Sequence, residues 1–260
     1  MVARSRGPGT GVENKKSKGR YEMSVAGQPR PQDRLKGLEV DFAHMAAFVE
    51  SQLADAVAAL ERRDVDVAER VIRADERVDA AHKAIDAKVI SLLHGGPHDP
   101  AAIREMIAVM KVAGDLERVG DMSKNIAKRS LVISRGRPHK ANAGVARMGR
   151  ASLRQISDTL NAFSARNLSA ARAVWGGDDD LDELYNSVFR EILVSMMEDP
   201  GEINSALHLV FIAKNFERVG DHATNIAEAL HFLVTGAALA AERPKGDETA
   251  LTTVTGPRRE

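Results

Sequence analysis

The strongest constraint on this chain is that it repeats itself. The fifteen residues AGDLERVGDMSKNIA, beginning at Ala113, return as AKNFERVGDHATNIA from Ala213, an offset of 100 residues with nine identities. The correspondence reaches upstream, where Asp99-Pro100 matches Asp199-Pro200 and Ile103 matches Ile203. With an offset of 103, Asp75 and Asp79 match Asp178 and Asp182, and Arg63-Asp64 matches Arg166-Asn167. Self-similarity at a fixed period marks a duplicated supersecondary unit. The fold must therefore be built from two copies of one module of about 100 residues.

Each copy reads as three helices. In the first copy a helix from Gln32 to Arg62 carries Leu35, Leu38, Phe42, Met45, Val49, Leu53, Val57 and Leu60 at steps of three and four, the spacing of one helical face. A second helix, Asp66 to His94, places Val71, Val78, Ile85 and Leu92 in line and stops at Gly95-Gly96-Pro97. A third starts at Asp99, which can cap it, with Pro100 in the first turn, where a missing N–H costs nothing. Its seam is Val109, Val112, Leu116, Val119 and Ile126. The second copy predicts helices over Ala141–Arg166 and Ser169–Glu198, the latter kinked at Gly176-Gly177. Its third helix has the seam Leu209, Ile212, Phe216, Val219, Ala223, Ile226, Leu230 and Leu233. No alternating strand pattern competes. The expected fold class is all-α: two tandem three-helix bundles, residues 32–134 and 145–240. Residues 135–144 form the linker, 1–31 a disordered leader with Met23 as an alternative start, and 241–260 a flexible tail.

Composition removes several function classes. Lys and Arg total 37, as do Asp and Glu, so the surplus of positive charge that phosphate neutralisation requires is missing and nucleic acid is not an expected partner. There is no cysteine, which excludes disulfides, thiolate metal sites and cysteine nucleophiles; any metal must be held by oxygen or imidazole. The most apolar run, Phe232 to Ala241, is shorter than the roughly 20 residues a membrane span needs. The leader lacks the apolar core of a secretory signal, so the expected compartment is the cytoplasm. There is no Gly-rich phosphate loop and no nucleophile elbow.

The repeated acids are the candidate site. Glu117 and Asp121 lie one turn apart on a stripe well away from the apolar seam of Leu116, Val119 and Ile126. They are expected to face outward or into a groove. Asp75 and Asp79 are also one turn apart, at the flank of their helix's apolar stripe. If the second and third helices are antiparallel neighbours, both pairs face one space; Asp178, Asp182, Glu217 and Asp221 repeat the arrangement. Like charges at this spacing repel by a few tenths of a kcal/mol, so a compensating charge is required. Arg77, Arg118 and Arg218 are nearby; the other source is a hard cation such as Mg, Mn, Ca or ferric iron. Glu228-x-x-His231 has the spacing of a di-iron bundle motif, but Lys128 replaces Glu228 in the first copy, so a surface pair is the better reading. Gly120 and Gly220, mid-helix in both copies, imply a close backbone approach, since each costs about 1 kcal/mol against alanine.

The motifs Glu117-Arg118-Val119-Gly120-Asp121 with Asn125-Ile126-Ala127, and Glu217-Arg218-Val219-Gly220-Asp221-His222-Ala223 with Asn225-Ile226-Ala227-Glu228, resemble those of the PhoU family. The resemblance covers Leu35 to Val234. It implies two three-helix bundles related by pseudo-twofold symmetry. It also implies a cytoplasmic, non-enzymatic adaptor between the Pst phosphate ABC transporter's ATPase and a two-component sensor histidine kinase. Such an adaptor silences the phosphate-starvation response when phosphate is plentiful. Self-association into a homodimer is a further expectation. Family E/D-x-x-x-D motifs bind multinuclear metal clusters, which carries over to Asp75, Asp79, Glu117, Asp121, Asp178, Asp182, Glu217 and Asp221, with Mg, Mn, Fe or Zn as the candidate ions. Lys128 and Met122 depart from the family pattern in the first copy. Two rival readings are a purely structural helical scaffold without metal and a carboxylate-bridged di-metal enzyme.

Overall fold

The fold is that of a computed structural model, which describes residues 31–96, 98–176 and 178–239, without the side chains of residues 31–34, 178 and 179. The expected leader, but for Pro31, and the expected tail lie outside the described residues, as does Gly177. The described residues form seven α-helices and no strand: α1 Pro31–Arg62, α2 Val65–His94, α3 Pro100–Ile133, α4 Asn142–Ser164, α5 Leu168–Gly176, α6 Asp178–Glu198 and α7 Ile203–Thr235. The helix expected over Ser169–Glu198 is described in two pieces, α5 and α6, on either side of Gly177, where the expected kink falls.

The repeat is visible in the way helices begin. Asp64 caps α2 by accepting from the Val67 N–H at 3.0 Å, and its counterpart Asn167 caps α5, accepting from Ala170 at 3.1 Å. Asp99 caps α3 at 2.8 Å from the Ala102 nitrogen, and Asp199 accepts from Gly201 at 2.9 Å, opening the 3-10 turn that leads into α7. The residues before the first pair of caps, Arg63 and Arg166, both adopt left-handed backbone, with φ of 54° and 52°. Such conformations cost a non-glycine residue about a kilocalorie. Each arginine also makes long-range contacts. Arg63 donates to the Ile133 and Ser134 carbonyls at 2.9 and 3.1 Å, tying α1 to the end of α3. Arg166 bonds Glu105 in the other copy.

Helices α1, α2 and α3 form one bundle; α4, α5, α6 and α7 form the other. The most extensive helix contact joins the two, α3 against α7. These helices run antiparallel, as cross-contacts along their length show. His222 on α7 bonds Asp115 on α3 at 2.8 Å, and Asn225 donates to the same carboxylate at 3.2 Å. Toward one end Lys111 lies 5.4 Å from the Phe232 ring centroid; toward the other Arg129 lies 4.1 Å from that of Phe211. The core is continuous across both bundles. At its centre, a Cβ on Gly149 of α4 would fall 2.8 Å from Phe216 Cζ and 3.0 Å from Val57 Cγ2. Only glycine lets α4 sit this close to helices of both copies.

Candidate functional site

The acids of the first copy gather in the groove between α2 and α3. The local cause is Gly120. A Cβ there would lie 3.1 Å from Val78 Cγ1 and 3.2 Å from Gln52 Oε1. The missing methyl lets α3 close on its neighbours at the level of Asp79 and Asp121. The close approach expected of this glycine is thus made within its own bundle. Asp75 is buried, 3% exposed, while Asp79, Glu117 and Asp121 are half-buried. Of the two placements expected for Glu117 and Asp121, outward or into a groove, the groove is the one found, and Asp75, expected at the flank of its helix's apolar stripe, turns inward.

A buried carboxylate must be paired or it forfeits its hydration without return. The partner of Asp75 is Lys124, whose ammonium donates directly to Oδ2. That bond is the main reason the Lys124 ammonium holds its proton above the ordinary lysine range; Asp121 and Asp79 act in the same direction. Asp75, Asp79 and Asp121 thus share one lysine. Glu117 stands apart, with its carboxylate 3.4 Å from Arg118 Nε, and the same arginine reaches 3.9 Å from Asp121. Arg77, a candidate counterion in the sequence, stacks instead on Phe48, 4.3 Å from the ring centroid.

The second copy builds the same groove with a different lysine. Asp182 and Glu217 are buried, 7% and 6% exposed, and Asp221 is half-buried. The Asp178 side chain lies outside the described residues. Lys214, one turn before Glu217 on α7, approaches its Oε1 at 2.9 Å and lies 5.1 Å from the Tyr185 ring centroid. Glu217 Oε2 has no hydrogen-bond partner. Burial pushes the Glu217 carboxyl up to about 6; Lys214 opposes that rise, while Asp221 and Asp182 add to it. The two lysines are the residues that sequence reasoning missed. The available signal was spacing: Lys124 follows Asp121 by three residues and Lys214 precedes Glu217 by three, both within reach along a helix.

These donors do not match what a hard cation asks for. Mg, Mn and Ca bind through free carboxylate oxygens, with water completing the shell, whereas in each groove a buried carboxylate is already directed at an ammonium. Among the described residues, no three Asp, Glu or His side chains converge so as to hold a metal ion. Glu228 and His231 do not converge either: Glu228 accepts from Trp175 Nε1 at 3.4 Å, and His231 bonds the Ala237 carbonyl at 3.1 Å.

One arrangement superficially suggests catalysis. His139 Nε2 lies 3.0 Å from Ser195 Oγ and 3.5 Å from a Glu202 oxygen. The protons are placed wrongly for a nucleophile and base. His139 Nδ1 accepts from the Ala141 N–H at 3.1 Å, which leaves the ring proton on Nε2. Ser195 spends its own proton on the Ile192 carbonyl at 2.7 Å. A base must be unprotonated toward its nucleophile, and both side chains are buried. This trio pins the linker to α6.

Comparison with known proteins agrees with this architecture. The PhoU domain family matches residues 42–130 and 145–230, one match per copy. The phosphate-specific transport system accessory protein PhoU homolog of Caulobacter vibrioides is 42% identical over 216 residues, 83% of this chain and 94% of its own length. The protein of the same description from Rhizobium meliloti is 38% identical over 84% of this chain and 92% of its own. The crystal structure of PhoU from Pseudomonas aeruginosa superposes with a TM-score of 0.78 at 29% identity, covering 80% of this chain and 100% of that one. The phosphate transport system regulatory protein PhoU from Streptococcus pneumoniae gives 0.74 at 28% identity, covering 82% and 100%.

Proposed function

Because the chain belongs to the PhoU family, we propose that it is an accessory regulator of phosphate-specific transport. In this reading it is a cytoplasmic adaptor that contacts the transporter's ATPase and a sensor histidine kinase, and it holds the starvation response off when phosphate is plentiful. The observation that carries the reading is length-wide similarity: the match spans 94% of a relative described as a phosphate-specific transport accessory protein.

Two features of the molecule support an adaptor over a catalyst. No helix among the described residues is long and apolar enough to cross a membrane; the proposed contact with a transporter is through protein surfaces. Exposed apolar side chains recur at matched positions, Ile103 and Ile107 on α3 with Ile203 and Leu207 on α7. Each pair exposes two apolar side chains one helical turn apart, the kind of surface a protein partner can cover. The test is a phosphate-controlled reporter in cells lacking the gene. In phosphate-rich medium the reporter should be derepressed, and the wild-type chain should silence it again. Ile107→Glu combined with Leu207→Glu should fail to silence it while folding normally. A reporter indifferent to the deletion would remove the proposal. Pull-down of the transporter ATPase and of the kinase's cytoplasmic domain tests the two contacts separately.

A further inference from the structure

We infer that the two acid grooves carry their own cations, Lys124 in the first copy and Lys214 in the second, in the place where a metal ion would otherwise sit. The inference is independent of the regulatory role proposed above. It rests first on geometry. The Lys124 ammonium bonds Asp75, a carboxylate 3% exposed, from the neighbouring helix. Lys214 lies 2.9 Å from Glu217, 6% exposed. Buried carboxylates with ammonium partners are neutralised before any ion arrives.

The second support is the duplication. Lys124 matches Thr224, and Lys214 matches Gly114. The letters at both lysine positions differ between copies, yet each groove receives one lysine. Space explains how. In the second copy Lys214 passes over Tyr185; at the matched positions of the first copy Gly114 faces His82, whose Nε2 is 4.0 Å from where a Cβ would stand. The first groove has no lysine at that turn and is served instead from Lys124, on the far side of Asp121. A divalent ion competing for Asp75 or Glu217 would meet an ammonium already held against that buried carboxylate. It could bind only by ejecting the lysine and leaving its alkyl stem and ammonium to be re-solvated.

The test is a Mn2+ titration of the full chain, followed by the free-ion signal in electron paramagnetic resonance, for wild type, Lys124→Met, Lys124→Arg and Lys214→Met. Methionine keeps the stem's bulk and removes the charge; arginine keeps the charge. The expected result is that wild type and Lys124→Arg hold no stoichiometric Mn2+, while each methionine variant binds Mn2+ at least tenfold more tightly than wild type. Stoichiometric Mn2+ on wild type, or methionine variants that bind no better than wild type, would overturn the inference. If a methionine variant does not fold, the melting temperature of wild type in excess Mn2+ decides: it should match the value in metal-free buffer. A rise that saturates at one or two equivalents contradicts internal neutralisation.

Discussion

The groove between α2 and α3 and the groove lined by α6 and α7 hold corresponding acids but are neutralised from opposite directions. Lys124 reaches Asp75 from three residues beyond Asp121, whereas Lys214 reaches Glu217 from three residues before it. The consequence is a difference in how each groove handles charge. In the first, the buried acid bonds the lysine across two helices. In the second, the lysine bonds an acid on its own helix, and the Glu217 carboxyl, pushed up to about 6 by burial, can take a proton instead. The duplicated feature is one ammonium set against a buried carboxylate in each groove, and the residue that supplies it differs in position by a few helical turns.

The largest effect should come from Lys124→Met. Removing one partner of a buried ion pair leaves the other charge stranded, at a cost of about 3 kcal/mol. Lys214→Met should cost less, about 1 kcal/mol near neutral pH, because Glu217 can protonate. Urea denaturation of both variants checks the order, and equal losses would erase the distinction between the grooves.

Next in size is the pH behaviour of Glu217. Its folded value, about 6, lies above the ordinary 4.5. The native state therefore binds the proton more tightly than the unfolded chain. The stability gained from this is fully present below pH 4.5 and is lost as pH rises through about 6. The amplitude is about 2 kcal/mol. Glu217→Gln should flatten that step and should be the more stable protein on its alkaline side, as measured by denaturation across the window. A variant that keeps the step places it elsewhere in the molecule.

Two smaller effects test why the grooves differ in shape. Gly120→Ala puts a methyl 3.1 Å from Val78 Cγ1, so the crowding should outweigh the gain in helix propensity and leave a net loss of about 1 kcal/mol. Gly114→Ala has open space, with His82 no nearer than 4.0 Å. It should stabilise the chain by about 0.5–1 kcal/mol, the full propensity gain. Thermal unfolding of both variants would show shifts of opposite sign; shifts of the same sign would mean that the spacing of α2 and α3 is not set by Gly120.

Much of this architecture was legible in the letters. The offset of 100 residues fixed the duplication, and the three-four seams fixed the helices, because helix packing is repaid in apolar area that the sequence displays directly. The cap at Asp99 followed from local backbone chemistry. The acids themselves were found by their recurrence. Their burial was not, because a residue at the flank of an apolar stripe turns in or out according to its neighbours, and Asp75 turns in only because Lys124 awaits it on another helix. The lysines were overlooked for a related reason. Arg77 and Arg118 lie nearer the acids in sequence, but Arg77 is drawn to the face of Phe48, a contact between helices that no periodicity reveals.

The claim that each groove is neutralised from within is tested most directly by a crystal structure of the full chain grown in excess Mn2+, with diffraction recorded at the manganese absorption edge. The account predicts the Lys124 ammonium against Asp75, the Lys214 ammonium against Glu217, and no anomalous peak in either groove. A manganese peak held by Asp75, Asp79 and Asp121, or by Asp182, Glu217 and Asp221, with the lysine turned out to solvent, would contradict it.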